Sequence, residues 1–348
     1  MKDDGRSGRG GAARRALIAE VERLAGDLRA PLGRLEEAVA ALIGGEGLPE
    51  DLAPDALFEG GIPRIRPVLV VLASRAAVEA GAGAEGTFEV AAITELLQVS
   101  IALHDAALGR RDGRRRRAAR RVLRGATAWL GASHVTLRAI ELARRVPAPE
   151  VMGEALDALR QLAEAHAADE SARDRDPTPA DALYSHEGHA GVVFAFACRA
   201  GGRLAGADRG AVTALGRYGR NVGVAWQLAE ELAVFERGGR ALADFASSGR
   251  PSYVLSWSNA NDRTLDVEWQ VLARSGDVAL ADVVAARVRA VGGLQAAREA
   301  LMVRAWAARG ALEPLPASPA RDALDRLAAV LARPNHEPSR RGGQPDNP

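Results

Sequence analysis

Apolar residues recur at three- and four-residue steps along almost the whole chain, the spacing that places them on one face of an α-helix. The pattern predicts helices over 16–44, 64–82, 88–108, 117–146 and 150–169. After a polar break at 170–180 it predicts further helices over 181–204, 208–236, 263–275, 279–291, 294–313 and 318–333. The breaks are short and carry Gly, Pro, Asp or Ser, as in GAGAEG at 81–86 and GADRG at 206–210; these residues end helices and open turns. No composition shift divides the periodic region, so one large all-α antiparallel helical bundle over 15–333 is the economical reading. Residues 1–14 are Gly/Arg-rich and 334–348 are Pro/Gly/polar, and both ends read as disordered tails.

Composition supports helices. Aromatic residues make up only 4% of the 348, and β-branched residues are few beside Ala, Leu, Arg and Glu. An apolar fraction of 47% is enough for a sizeable core and excludes disorder throughout. The 46 basic residues nearly cancel the 45 acidic ones, so the net charge of +1 gives no argument for a polyanion or a membrane surface as partner. The single lysine, Lys2, leaves arginine to carry the rest of the positive charge. One cysteine, Cys198, lies in an apolar run and excludes a disulfide framework. No apolar run reaches the ~18 residues of a membrane span, and the N-terminus lacks the pattern of a signal peptide, so a cytoplasmic protein is expected.

Five segments carry chemistry in a fixed order. They are Gly60-Gly-Ile-Pro-Arg-Ile-Arg-Pro67, then Glu95-Leu-Leu-Gln-Val-Ser-Ile-Ala-Leu-His-Asp105, then Ala225-Trp-Gln-Leu-Ala-Glu-Glu-Leu232, then Gly249-Arg-Pro-Ser252, then the Leu312–Leu324 segment LEPLPASPARDAL. Together they resemble the GGKRxRP, ELLHxxSLIHDD, FQxxDDxxD, GKPT and ALxxLPxSPxRxAL segments of the polyprenyl synthetase family, the trans-isoprenyl diphosphate synthases. The resemblance spans roughly residues 30–333 and implies the isoprenoid synthase-type bundle, commonly a homodimer. It also implies an allylic diphosphate held in a central cleft by Mg²⁺ on two facing DDxxD motifs, with Arg and Lys neutralising the remaining charge.

On this resemblance Arg64, Arg66, Gln98, Arg114, Arg115, Gln227 and Arg250 are the expected diphosphate-binding residues. The metal set reduces to Asp105, Glu230 and Glu231, because the first DDxxD reads Asp105-Ala-Ala-Leu-Gly109 and the second Glu230-Glu-Leu-Ala-Val234. Alanine, glycine and valine cannot ligate a metal. Pro63 stands for the lysine of the first motif, Gln98 for the usual His of the isopentenyl site, His189-Ala190 for a Lys-Thr pair and Ala132-Ser133 for a Gly-Asp pair. Arg250 stands for the lysine of the GKPT loop, and arginine is the better bidentate phosphate partner of the two. Ser100 and Ile101 precede the first motif without an aromatic stop, so a long prenyl chain is compatible.

Three readings of function follow. One is a divergent family member without standard Mg²⁺-dependent elongation, acting as a diphosphate-binding, regulatory or partner subunit, as a homodimer or paired with an active synthase. The second is an active prenyltransferase or terpene-synthase-like enzyme with an altered metal site. The third is a structural or cargo-like protein docking through its tails and the segment 110–124, which holds nine arginines against one Asp. No aromatic interleaves that segment, so nucleic-acid recognition lacks support. His186-Glu-Gly-His189 has three-residue rather than zincin spacing, Ser133 and Ser185 have no triad context, and 81–86 follows no strand, so none of these marks a separate site.

Overall fold

A computed structural model describes residues 10–27, 65–77, 85–107, 126–172 and 176–332, with isolated positions between 35 and 42. The described residues form an all-α bundle without strands. Its helices are α1 (Gly10–Asp27), α2 (Ile65–Ala76), α3 (Thr87–Ala107), α4 (Ala126–Ala143), α5 (Glu150–Ser171), α6 (Pro179–His186) and α7 (Val192–Leu204). They continue as α8 (Arg209–Arg237), α9 (Gly239–Ala246), α10 (Tyr253–Asn261), α11 (Thr264–Ser275), α12 (Val278–Ala290), α13 (Gly293–Ala311) and α14 (Pro319–Ala332).

Helix α7 is the centre, packed against α2, α3, α5 and α8. Its first seven residues, Val192 to Cys198, are all buried, which is why this helix is apolar all round rather than striped. Burial pushes the Cys198 thiol up to about 12, leaving it an inert core residue. Helix α8 lies beside α7 and contacts α1 and α13 on its other sides. Tyr218 of α8 is fully buried and donates to the Leu324 carbonyl of α14 at 2.7 Å, which ties the last helix to the core. A smaller outer layer, α9 to α12, is keyed by Trp269 of α11 stacked on Phe235 of α8 at 5.8 Å.

Two short helices, α9 and α10, arise where periodicity was too brief to predict an element. Helix α10 is set by its N-cap, since Ser252 accepts from the Leu255 N–H at 3.1 Å. The first helix begins at Gly10, inside the stretch 1–14 expected as a tail, because its packing on α8, α14 and α2 supplies order that polar composition alone does not reveal. The remaining tail residues and the segment 110–124 lie outside the described residues. No described helix is long and apolar enough to cross a membrane.

The α7–α8 contact depends on small residues. At Gly219 an added Cβ would lie 2.3 Å from the Phe194 carbonyl oxygen and 2.9 Å from the Ala195 Cα, both backbone atoms that cannot turn aside. Gly219→Ala is therefore expected to destabilise the fold by about 1–3 kcal/mol, despite alanine's better helix propensity. A thermal melt no lower than wild type would show that the two helices do not pack this closely.

Candidate functional site: a carboxylate cleft closed by one loop

The site forms where α3, α5, α8 and the turn after α6 meet the loop between α9 and α10. Asp105, near the C-terminus of α3, is 1% exposed, and Glu231, in the last third of α8, is also 1% exposed. Carboxylates this buried must be paired or hydrogen-bonded.

The loop supplies partners to both. Ser248 is buried, Gly249 takes φ 66° and Pro251 has a fixed φ, so the chain turns sharply and presents Arg250 and Ser252. Arg250 Nη2 donates to Asp105 Oδ2 in a close ion pair. Ser252 Oγ donates to Glu231 Oε2 at 3.0 Å, and the Val254 N–H reaches the same oxygen at 3.3 Å. The other oxygen of Glu231 lies 2.7 Å from His186 Nε2, which is itself 4% exposed. Its neighbour Glu230 is only partly buried and pairs with Arg14 of α1, whose guanidinium also lies 5.9 Å from the Trp226 ring centre.

A row of imidazoles lines the other wall. His104 packs against Trp129 at 5.1 Å and His166 at 5.7 Å, and His166 meets His189 edge-on at 4.5 Å. His104 and His166 place Nδ1 2.8 Å from the Ser100 and Leu162 carbonyls, which can only accept, so Nδ1 is the donor in each ring. His166 Nε2 is 3.6 Å from Asp105 Oδ1, while His189 Nε2 is 3.0 Å from Asp169 Oδ2, an oxygen that also accepts from Ser185 Oγ at 3.0 Å. Burial holds both His104 and His189 below the usual histidine pKa.

His186 and His189 both reach carboxylates because the helix widens into a π-turn over Glu187–Gly191 between them, a feature common at functional sites. Gly188 permits the turn to press on α5, since a Cβ there would lie 2.4 Å from the Ala165 Cβ. The widened turn directs His186 to Glu231 of α8 and His189 to Asp169 of α5.

A Polyprenyl synthetase family profile matches residues 53–233, slightly over half of the chain. The chain belongs to the polyprenyl synthetase family. It is 27% identical over 287 residues to the octaprenyl diphosphate synthase of Escherichia coli (strain K12), covering 80% of this chain and 87% of that protein. It is 33% identical over 213 residues to the (2E,6E)-farnesyl diphosphate synthase of Mycobacterium tuberculosis (strain ATCC 25618 / H37Rv), covering 60% and 56%. Its fold is similar to the polyprenyl synthase of Caulobacter crescentus CB15 crystallised with calcium and isoprenyl diphosphate, with a TM-score of 0.76 and 24% identity over 90% of this chain and 98% of that one.

Within this polyprenyl synthetase-family fold the expected site residues separate into three groups. Arg66 is buried and makes a two-pronged bond to Glu95 at 2.9 and 3.0 Å, with Gln98 accepting from its third nitrogen at 3.4 Å. Arg250 and Asp105 are paired, and Gln227 is half-buried on α8 four residues before Glu231. Arg64, Arg114 and Arg115 lie outside the described residues. The metal set implied by the resemblance, Asp105, Glu230 and Glu231, does not fit a Mg²⁺ cluster. Asp105 and Glu230 are joined to arginines, Glu231 receives three protein partners, and no group of three His, Cys, Asp or Glu side chains among the described residues is arranged to hold a metal. Arg14, His166 and Asp169 were not singled out from sequence. Only the His186–His189 spacing carried a signal, and its meaning depended on the π-turn.

His189 faces Asp169 and His166 of α5 and senses Asp105 of α3. An unfolded chain protonates it near 6.5, whereas the buried ring resists, so its contribution to stability is present above that pH and is lost as the pH falls through the depressed folded value. The Tm is expected to drop between about pH 7 and 5, less steeply in His189→Gln. Superimposable profiles for the two proteins would remove His189 from the pH response.

Proposed function

We propose that this polyprenyl synthetase-family protein binds a prenyl diphosphate without standard Mg²⁺-dependent chain elongation and serves isoprenoid metabolism as a regulatory or partner subunit in the cytoplasm. One observation carries the reading: Arg66 and Arg250 dock along a single face of α3, the first at Glu95 and Gln98, the second at Asp105. Positions 98 and 105 are seven residues apart, about 10 Å along a helix axis, so the two guanidinium groups sit two turns apart on that face. An entering diphosphate would add a second charge-assisted acceptor to Arg250 beside Asp105.

Holding a diphosphate is easier than ionising it. Departure of pyrophosphate requires strong neutralisation of developing charge, and the Asp-rich motifs have lost the carboxylates at 106, 109 and 234. Leu130 and Leu137 of α4 and Leu156 of α5 are large apolar side chains at the surface, which supports pairing with a second copy or with an active synthase. A second reading, an active prenyltransferase or terpene-synthase-like enzyme with an altered site, is favoured by the two carboxylates retained in the second motif, Glu230 and Glu231, with His186 Nε2 2.7 Å from Glu231.

Calorimetric titration with farnesyl diphosphate distinguishes them. The expected result is binding of similar strength in Mg²⁺ and in EDTA, weakened about tenfold or more in Arg250→Gln, with no longer prenyl product when isopentenyl diphosphate is added. Elongation that needs Mg²⁺ and disappears in Glu231→Ala establishes the second reading instead, and absence of binding in both buffers removes the diphosphate ligand.

A further inference from the structure

The resemblance assigns three carboxylates to metal, and each has a basic side chain of the same chain against it. Asp105 meets Arg250, Glu231 meets His186, and Glu230 meets Arg14. These partners come from three separate places: the α9–α10 loop, the end of α6 and the N-terminal helix. We propose that Arg250 and Arg14 are resident counterions which, with the hydrogen bonds from Ser252 and Val254 to Glu231, take the charge-neutralising place of divalent metal, so that the site is assembled and balanced by the protein alone.

The geometry supports this most strongly at the two buried carboxylates. A hard divalent cation needs carboxylate lone pairs directed at it. At Glu231 one oxygen already receives Ser252 Oγ and the Val254 N–H, and the other faces His186 at 2.7 Å. At Asp105 one oxygen holds Arg250 and the other faces the His166 ring. A metal entering here would have to strip these bonds and then sit beside a guanidinium. The Arg14–Glu230 pair is about one-third exposed on each side, so solvent screens it and it contributes less.

The test uses the full chain with Mg²⁺ as the only added ligand, so its outcome is separate from whether any prenyl diphosphate binds. Wild-type Tm is expected to be the same in EDTA and in about 10 mM Mg²⁺, where a cleft that bound the ion in its folded state would be stabilised by mass action. Asp105→Asn and Arg250→Gln are each expected to lower Tm by about 5 °C or more, and the double variant to lose clearly less than the two losses combined. Should either single variant fail to fold, the more exposed pair gives the same information: Arg14→Glu and Glu230→Arg each lower Tm, and the exchanged double variant regains it. A saturable rise of wild-type Tm with Mg²⁺ overturns the proposal, as do additive losses at Asp105 and Arg250 or failure of the exchanged pair to recover.

Discussion

A carboxylate taken out of water must find a partner, and here two of them, Asp105 and Glu231, are almost completely buried on different helices. Much of the cleft follows from satisfying them. The loop between α9 and α10 touches both, through Arg250 and Ser252, two residues apart. Its left-handed Gly249, its proline and the N-cap serine of α10 are therefore parts of one device that fastens α3 to α8. Removing one member of a buried pair leaves the other charge uncompensated at a cost of about 3–5 kcal/mol, a large fraction of a typical domain's stability.

The same demand explains the π-turn. A regular helix through 186–191 would present His186 and His189 with different angular spacing, and its side chains would meet α5 differently. Gly188 against Ala165, and Gly223 with its Cβ position 2.6 Å from the Ala190 carbonyl oxygen, let the turn settle between α5 and α8. His186 then reaches Glu231 and His189 reaches Asp169. The site thus joins four histidines, three carboxylates and one arginine across five segments of chain, within the bundle architecture of the polyprenyl synthetase family.

Charge accounting at the cleft differs from that of the whole molecule. A net charge of +1 suggests no electrostatic specialisation, whereas Arg66, Arg250 and Arg14 each sit against a particular carboxylate drawn from a remote part of the chain. Arginine suits these positions because it stays protonated when buried and forks onto carboxylate, as Arg66 does onto Glu95. A composition with a single lysine is thus compatible with a site in which arginines stand close to Asp105 and Glu230.

Helical periodicity is local, repeating within a few residues, and the sequence alone determined the all-α bundle, its longer helices and the order of the family motifs, but it read 181–204 as one helix where the π-turn separates α6 from α7. It also singled out Asp105, Glu231 and Arg250, which the fold gathers around the α9–α10 loop. It could not resolve α9 and α10, whose eight- and nine-residue lengths hold too few turns for a period, or place Gly10 in a helix rather than a tail. Nor could it pair the charges. Arg250 and Asp105 are 145 residues apart and Arg14 and Glu230 are 216 apart, and with 46 basic and 45 acidic residues the number of possible partners is too large for spacing to choose among them. Only the packing of α1, α3, α8 and the α9–α10 loop, which brings particular side chains within bonding distance and shuts out water, decided which charges neutralise one another.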